Sequence, residues 1–205
     1  MPDTLPTQQP RISQLHMRGM VKRFPGVLAV NNVDFSVEAV NGRGEIHALL
    51  GENGAGKSTL MKILYGLYRA DGGSIHVDES LLTLRSPQDA IGRGIGMIHQ
   101  HFMLVPSLTV AENIALGMKS TRGALLDLNR VRSRVAELSE RYHLRVDPDV
   151  PIWQLAVGEQ QRVEIVRALY KGAALLILDE PTAVLTPGEV DDFFRVLRQM
   201  RDDGH

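Results

Sequence analysis

Several things are scarce in this chain of 205 residues. It has no cysteine, which excludes a disulfide framework, a zinc ribbon and a catalytic thiol. Aromatic residues make up 5% of the chain, too few for a platform on which nucleic-acid bases stack. The 23 Lys and Arg are balanced by 24 Asp and Glu, so the net charge of −1 gives no general attraction for nucleic acid or anionic lipid. We therefore expect one ordinary globular domain, with or without a lobe, and no nucleic-acid partner.

Long apolar runs are missing as well. The longest, residues 173–178, is far shorter than the roughly 18 residues needed to span a bilayer. The first residues show no basic segment followed by an apolar one, as a signal peptide would, so we expect a cytoplasmic location. Residues 1–12 are rich in proline and lack periodicity, which predicts a disordered tail.

Two kinds of strand pattern are present. Alternating apolar residues between positions 15 and 46, interrupted by glycine-containing turns, predict a small antiparallel sheet with Val33, Phe35 and Val37 on one face. Continuous apolar runs instead predict buried strands, of the sort that parallel sheets cover on both faces. We expect such strands at 46–50, 95–99 and 173–178.

Helix starts are marked by capping residues. Ser86 and Thr109 are each followed by an acid three positions later, a pattern that predicts a helix beginning there. Apolar residues at helical spacing predict further helices. They lie over 59–68, through Val131, Val135, Leu138 and Tyr142, and after Thr186 through Val190, Phe194, Leu197 and Met200.

A phosphate-binding pattern follows the first predicted buried strand. Residues 51–58 read Gly, four residues, then Gly-Lys-Ser. Glycines let backbone N–H groups curl around an anion, a lysine reaches the β and γ oxygens, and a Ser hydroxyl ligates Mg²⁺. The alternative is a glycine-rich turn with a surface lysine. The expected nucleotide contacts are Gly51, Asn53, Gly54, Gly56, Lys57, Ser58 and Thr59.

Two acids end the last predicted buried strand. Asp179 is placed to hold Mg²⁺, and Glu180, one position later, to polarise the water that attacks the γ-phosphate. The alternative is a pair of capping or turn acids before Pro181. Together with the phosphate loop, these acids predict an ATPase that uses Mg²⁺.

These residues resemble the ATP-binding cassette (ABC) family, from about Leu15 to the end of the chain. Residues 155–162, Leu-Ala-Val-Gly-Glu-Gln-Gln-Arg, are similar to the family signature, and Gln100 matches the Q-loop glutamine, a Mg²⁺ and γ-phosphate contact. Phe24 lies where the family has an aromatic residue that stacks on adenine, although it could instead pack an edge of the small sheet. The signature residues expected to bind nucleotide are Leu155, Ala156, Gly158 and Gln160.

The resemblance implies an α/β P-loop NTPase fold of ABC type. Its core, a mostly parallel sheet with a small antiparallel subdomain, would span residues 13–101 and 166–205. A helical signature subdomain would span residues 102–165. Residues 61–68 and 179–187 are most similar to ATPases of bacterial simple-sugar and nucleoside importers.

The resemblance implies a mechanism in which two cassettes close on two ATP molecules. Each ATP would lie between the phosphate loop of one cassette and the signature of the other. The implied partners are a second cassette, a membrane permease at whose cytoplasmic face the chain would lie, and indirectly a solute-binding protein. Residues 102–105 are apolar and would be either permease contacts or core.

The sequence departs from the family pattern at two places. Ala156 replaces the signature serine, whose hydroxyl would donate to the γ-phosphate, so we expect weaker closure or turnover at that site. The switch histidine and the strand before it are absent, and His205 is not assigned that role. The missing strand and histidine imply a cassette cut short. Three interpretations of the function stay open: an importer ATPase, a non-transport ABC protein, and a nucleotide-binding module with little turnover.

Overall fold

The computed structural model describes residues 11–100, 102–118 and 127–205, which form two compact units. We name the first the sheet unit, residues 11–97, 173–177 and 200–205, and the second the helical unit, residues 98–172 and 178–199 where described. None of the described helices is long and apolar enough to cross a membrane. The predicted tail lies outside the described residues except for Arg11 and Ile12, and Ile12 packs against the core of the sheet unit.

The sheet unit contains the predicted antiparallel sheet. Its strands, in the order β2-β1-β3-β4, are β1 (Gln14–Phe24), β2 (Val27–Glu38), β3 (Gly72–Val77) and β4 (Ser80–Leu82). Met17 of β1 lies between Phe35 of β2 and Ile75 of β3, so these three side chains share the face that packs on the core. The period-two pattern therefore predicted the pairing of β1 with β2 but only part of the buried face, because Phe35 and Val37 pack against the core whereas Val33 is exposed. Strands β3 and β4 were not predicted.

Two helices of this unit begin as their sequences predict. Helix α2 (Pro87–Gly92) is capped by Ser86, whose Oγ accepts the Asp89 amide at 3.4 Å. Helix α1 (Lys57–Leu64) buries Leu60, Ile63 and Leu64 but ends before Leu67, which is exposed. It ends early because Gly66 takes a left-handed conformation, φ +78°, that stops the helix.

The second sheet pairs β5 (Ile95–Ile98) with β6 (Leu175–Leu178). The Leu175 amide donates to the Gly94 carbonyl at 3.0 Å, and the Asp179 amide donates to the Ile98 carbonyl at 3.1 Å. Donors and acceptors thus advance in the same direction along both strands, so the pair is parallel, as predicted.

The predicted strand at 46–50 is wrong. These residues form no regular element, and Ile46 and Leu50 are 44% and 89% exposed. An apolar run becomes a strand only when a neighbour supplies ladder hydrogen bonds. Among the described strands, none pairs with this segment.

The helical unit contains α3 (Val110–Ala115), α4 (Leu128–Arg141), a 3₁₀ turn (Ile152–Gln154), α5 (Val157–Tyr170) and most of α6 (Pro187–Asp202). The predicted cap at Thr109 is confirmed: the Thr109 amide donates to Glu112 at 2.8 Å, and the Glu112 amide donates back to the Thr109 hydroxyl at 3.3 Å. The predicted apolar stripe of α4 is buried.

The apolar stripe of α6 is displaced by one residue from the prediction at its start. Phe193 is buried, whereas Phe194 is 37% exposed. The other buried residues of the helix lie three, four and seven positions after Phe193, which is the spacing of residues on one face of a helix. Phe193 therefore belongs to the buried face, and Phe194 does not. Those residues are Val196, Leu197 and Met200.

Candidate nucleotide site

The phosphate loop leads into the N-terminus of α1. The N-cap is Gly56, at φ +86°, and it offers no side-chain acceptor to the first amides of the helix. A Cβ at Gly56 would lie 2.2 Å from the Ala29 carbonyl oxygen, so only glycine fits there. The first turn holds no acidic residue. A helix start of this kind is suited to an anion, because its amides and dipole attract negative charge.

Lys57 folds back over the loop. Its Nζ donates to the carbonyls of Gly51 at 2.7 Å and Glu52 at 2.8 Å, which holds the ammonium group at the mouth of the loop. Asn53 and Gly54 form the exposed tip. Ser58 and Thr59 lie half-buried in the first turn of α1. The structure therefore brings all seven predicted loop residues into one short segment around the helix start.

Gln100 and Glu180 meet at the ends of the parallel strands. Gln100 Nε2 donates to the Glu180 carboxylate at 2.9 Å. Glu180 has φ +50°, a left-handed conformation that costs a non-glycine residue about 1 kcal/mol or more. The side chain points to Gln100, while the Glu180 carbonyl accepts the Ala183 amide at 3.2 Å, so the alternative of a turn acid also fits this position.

The signature residues form the N-terminus of α5. Ala156 is the N-cap and has no hydroxyl, so the capping box is half complete: the Ala156 amide donates to Glu159 at 2.8 Å and no cap oxygen bonds back. Gln160 Nε2 donates to the Leu155 carbonyl at 3.0 Å and closes the turn before the helix. Leu155, Ala156, Gly158 and Gln160 are thus brought together as predicted.

A second carboxylate reaches this helix start from α6. A Cβ at Gly158 would lie 2.3 Å from Glu189 Oε1, which shows how closely the carboxylate approaches the glycine. The Thr186 amide and hydroxyl bond the same carboxylate, and together with the Gly158 amide and the charge of Arg162 they lower the pKa of Glu189. Glu189 was not predicted as a site residue. Its only sequence signal is its place three residues after Thr186, which indicates a cap of α6.

Residues 102–105 are held by buried polar groups. Met103 is 64% exposed and Val105 is exposed as well, so these two residues are not core. Glu164 Oε1 accepts the Met103 amide at 2.9 Å, and Arg167 Nη1 donates to the Met103 carbonyl at 2.6 Å. Asn113 accepts the Val105 amide at 2.7 Å.

Glu164 and Arg167 form an ion pair at 2.6 Å, although Glu164 is only 3% exposed. Burial raises the pKa of Glu164, and the charge of Arg167 opposes that rise. Sequence reasoning missed this pair. The available signal was an acid within the apolar run of residues 163–166.

Phe24 lies at the end of β1 in the sheet unit. Its half-buried ring contacts Tyr68 edge-to-face, with centroids 5.3 Å apart, and Lys22 Nζ lies 5.5 Å from its centroid. Both the sheet-edge interpretation and the adenine-stacking interpretation are compatible with this position.

A family model described as ABC transporter matches residues 30–183. The chain belongs to this family. It is 50% identical to the glucose import ATP-binding protein TsgD13 of Haloferax volcanii and 50% identical to the nucleoside import ATP-binding protein NupA of Lactococcus lactis. Each alignment covers 93% of this chain but only 39% and 37% of the relatives. The chain therefore spans about two fifths of the length of the curated relatives it matches.

Solved cassettes of this family share the fold. The ADP-bound ATP-binding cassette MJ1267 matches with a TM-score of 0.78 at 26% identity, over 95% of this chain and 78% of that one. The bacterial cassette MJ0796, solved as a dimer, matches with a TM-score of 0.74 at 26% identity, over 93% and 84% of the two chains. The α/β P-loop fold of ABC type is thus confirmed.

Proposed function

We propose that this chain is the ATP-binding and hydrolysing part of an importer for a small solute, a sugar or a nucleoside. The observation that carries the proposal is the start of α1, where Gly56 and the Lys57 ammonium form an anion site of the type that holds nucleotide phosphates. The names of the 50% identical relatives, a glucose and a nucleoside import protein, support the choice of importer and of solute class.

The phosphate loop would bind the triphosphate. The amides around Gly54 and Gly56 would donate to phosphate oxygens, and Lys57 would exchange its two carbonyl partners for the β and γ oxygens. Gly51 and Asn53 shape the loop, and Thr59 lies one residue beyond Ser58 in the first turn. Phe24 would stack on the adenine ring.

The residues present fit Mg²⁺, a hard cation that prefers oxygen ligands. Ser58 supplies a hydroxyl and Asp179 a carboxylate. Gln100 uses its Nε2 on Glu180, so its Oε1 is the atom left to face a cation. When bound, the ion neutralises charge on the phosphates.

Glu180 would act on the attacking water. Its carboxylate is held by Gln100 at 2.9 Å, which fixes its direction before a substrate arrives. In hydrolysis it would accept the water proton as the water oxygen attacks the γ-phosphorus in line, while the bond from that phosphorus to the β–γ bridging oxygen breaks and ADP leaves.

Further partners complete the proposal. Residues 155–160 would face the γ-phosphate of a second cassette, as the dimeric relative MJ0796 suggests. The exposed Met103 and Val105, fixed through their backbones, offer an apolar contact for a permease. The chain would then lie at the cytoplasmic face of the membrane, and a solute-binding protein would act through the permease.

A second candidate is a nucleotide-binding module with little turnover. It is favoured by Ala156, which lacks the signature hydroxyl, and by the Glu189 carboxylate beside Gly158. Phosphate release by the purified chain with Mg²⁺ and ATP separates the two candidates, with calorimetry reporting ATP binding in the same sample.

Binding with steady phosphate release supports the ATPase. Binding with no release, for the chain and for the longer protein that contains it, supports the module, and absence of binding contradicts both. Loss of labelled sugar or nucleoside uptake on deletion of the gene tests the importer, and unchanged uptake of both solute classes contradicts it.

A further inference from the structure

An aromatic pair in the sheet unit joins the end of β1 to the segment that follows α1. The rings of Phe24 and Tyr68 have centroids 5.3 Å apart and an interplanar angle of 76°, an edge-to-face contact. Tyr68 is partly exposed, so the pair does not belong to the closed core. No role for Tyr68 follows from the family motifs or from the proposed catalytic step.

Helix α1 determines where Tyr68 stands. The helix begins at Lys57 and ends at Leu64, and the amides of Leu67 and Tyr68 both donate to the Lys62 carbonyl, at 2.9 and 3.2 Å. A Cβ at Gly66 would lie 2.6 Å from the Ser86 carbonyl oxygen, so the turn needs glycine at this point. The ring of Tyr68 is therefore tied to the helix that starts at the phosphate loop.

Asp71 fixes the strand end that carries Phe24. Its carboxylate accepts the Arg23 amide at 2.7 Å and the Lys22 ammonium at 3.2 Å, while its own amide donates to the Val21 carbonyl at 2.9 Å. The backbone just before Phe24 and the segment just after Tyr68 are thus joined by three hydrogen bonds, which limits how far the two rings can move apart.

We propose that Tyr68 is a positioning residue for the nucleotide base. It holds the Phe24 ring in a fixed orientation for stacking, and because it extends from α1 it sets the distance between the base and the phosphates bound at Lys57. The inference rests on the proposed function and deepens it. It explains how one helix, α1, can fix the position of the base and of the triphosphate at the same time.

The test compares ATP with inorganic tripolyphosphate, which has the phosphates but no base, as ligands of the complete chain. Without Tyr68 the Phe24 ring must be ordered when ATP binds, and if that costs as much as one edge-to-face contact provides, affinity falls by about fivefold. Tyr68→Ala is expected to weaken ATP binding by about that factor and to leave tripolyphosphate binding unchanged, while Tyr68→Phe retains wild-type affinity because it keeps the ring.

A double variant separates positioning from an independent contact. In a Phe24→Ala background, Tyr68→Ala should cause no further loss of ATP affinity, since the ring that Tyr68 orients is gone. Tyr68→Leu, which keeps apolar volume, replaces Tyr68→Ala if circular dichroism shows that the alanine variant is unfolded.

Three results would overturn the proposal: equal loss of ATP and tripolyphosphate binding, unchanged ATP affinity in Tyr68→Ala, or full additivity with Phe24→Ala. Failure of the proposed function looks different, because the wild-type chain would then bind neither ligand, or would bind ATP without releasing phosphate.

Discussion

Two helices of this chain begin at proposed phosphate-binding segments, yet their N-termini differ. Helix α1 starts after Gly56, with no acidic residue in its first turn. Helix α5 starts after Ala156, with Glu159 in its first turn and Glu189 against Gly158. Both helix dipoles favour negative charge at these ends. The difference is that α5 already has protein carboxylates there, whereas α1 has a lysine.

The comparison separates two kinds of anion site. A phosphate approaching α1 would take the Lys57 ammonium from the Gly51 and Glu52 carbonyls, and no carboxylate stands in the first turn of the helix. At α5 a phosphate would have to replace the Glu189 carboxylate at Gly158, since two like charges repel at this distance. We therefore expect the phosphate loop to bind ATP in a single chain, and the signature to bind only in an assembly that drives the exchange.

The largest expected effect is at α1. Lys57→Ala removes the ammonium from the loop, and ATP affinity should fall by roughly 100-fold, because hydrogen bonds to charged groups contribute about 1.5–3 kcal/mol each. Titration calorimetry measures the loss. Lys62→Ala, on the same helix but in its last turn, is the matched control and should bind like the wild type. Equal affinities for the two variants would remove Lys57 from the site.

Glu180→Gln tests the catalytic acid. The amide keeps the shape of the side chain but is a poor base, so phosphate release should fall by at least about 100-fold while ATP affinity stays within a factor of about two. Glu140→Gln, at the end of α4, is the control and should leave both unchanged. Retained turnover in Glu180→Gln would assign the base to another residue.

Glu189→Gln should make α5 more like α1. The neutral amide repels phosphate less, so ATP-dependent association of two chains should tighten several-fold, measured by sedimentation in the Glu180→Gln background to prevent hydrolysis. Asp192→Asn, one turn further along α6 and paired with Arg195, is the control. Weaker association of Glu189→Gln would contradict the claim that the Glu189 carboxylate opposes phosphate at the start of α5.

Ala156→Ser supplies the missing half of the capping box. A serine hydroxyl at the N-cap should accept the Glu159 amide and stabilise the chain by about 1 kcal/mol, seen as a rise in the free energy of unfolding. In the assembled complex the same hydroxyl should raise the rate of ATP hydrolysis. Ala156→Gly is the control for hydrolysis only, because it adds no hydroxyl but also improves the N-cap over alanine. Identical hydrolysis rates for serine and alanine would show that the hydroxyl has no role in turnover.

The smallest effect is a pH dependence at α5. The pKa of Glu189 is lowered from 4.5, mainly by the Thr186 amide, so its stabilising effect is present above that value and is lost as the pH falls through the lowered pKa. The wild type should therefore unfold at higher denaturant than Glu189→Gln at pH 6, and the gap should close in acid. A gap that is constant with pH would show that the charge of Glu189 is irrelevant to stability.

Local patterns explain which parts of this molecule the sequence could predict. The helix start after the phosphate-loop motif and the caps at Ser86 and Thr109 depend on residues within a few positions of each other, and they form as expected, although the strand expected before the loop does not. The period-two pattern of β1 and β2 likewise predicted their paired, half-buried sheet.

Features that depend on distant residues could not be predicted in this way. The segment 46–50 has the apolar run of a strand, but strand formation needs a partner that the run itself does not specify. The contacts of Tyr68 with Phe24 and of Glu189 with Gly158 join residues more than about 30 positions apart, so no short motif predicts them. Gln100 and Glu180 were each predicted, yet their hydrogen bond emerged only from the pairing of β5 and β6.

The most direct test of the difference between the two helix ends is the amide NMR spectrum of the single chain during titration with Mg²⁺ and ATP. This difference predicts large shifts for the amides of Gly54, Gly56 and Lys57, and none for Gly158, whose amide stays on Glu189. A shift of Gly158 in the monomer, or unchanged signals in the phosphate loop, would contradict it.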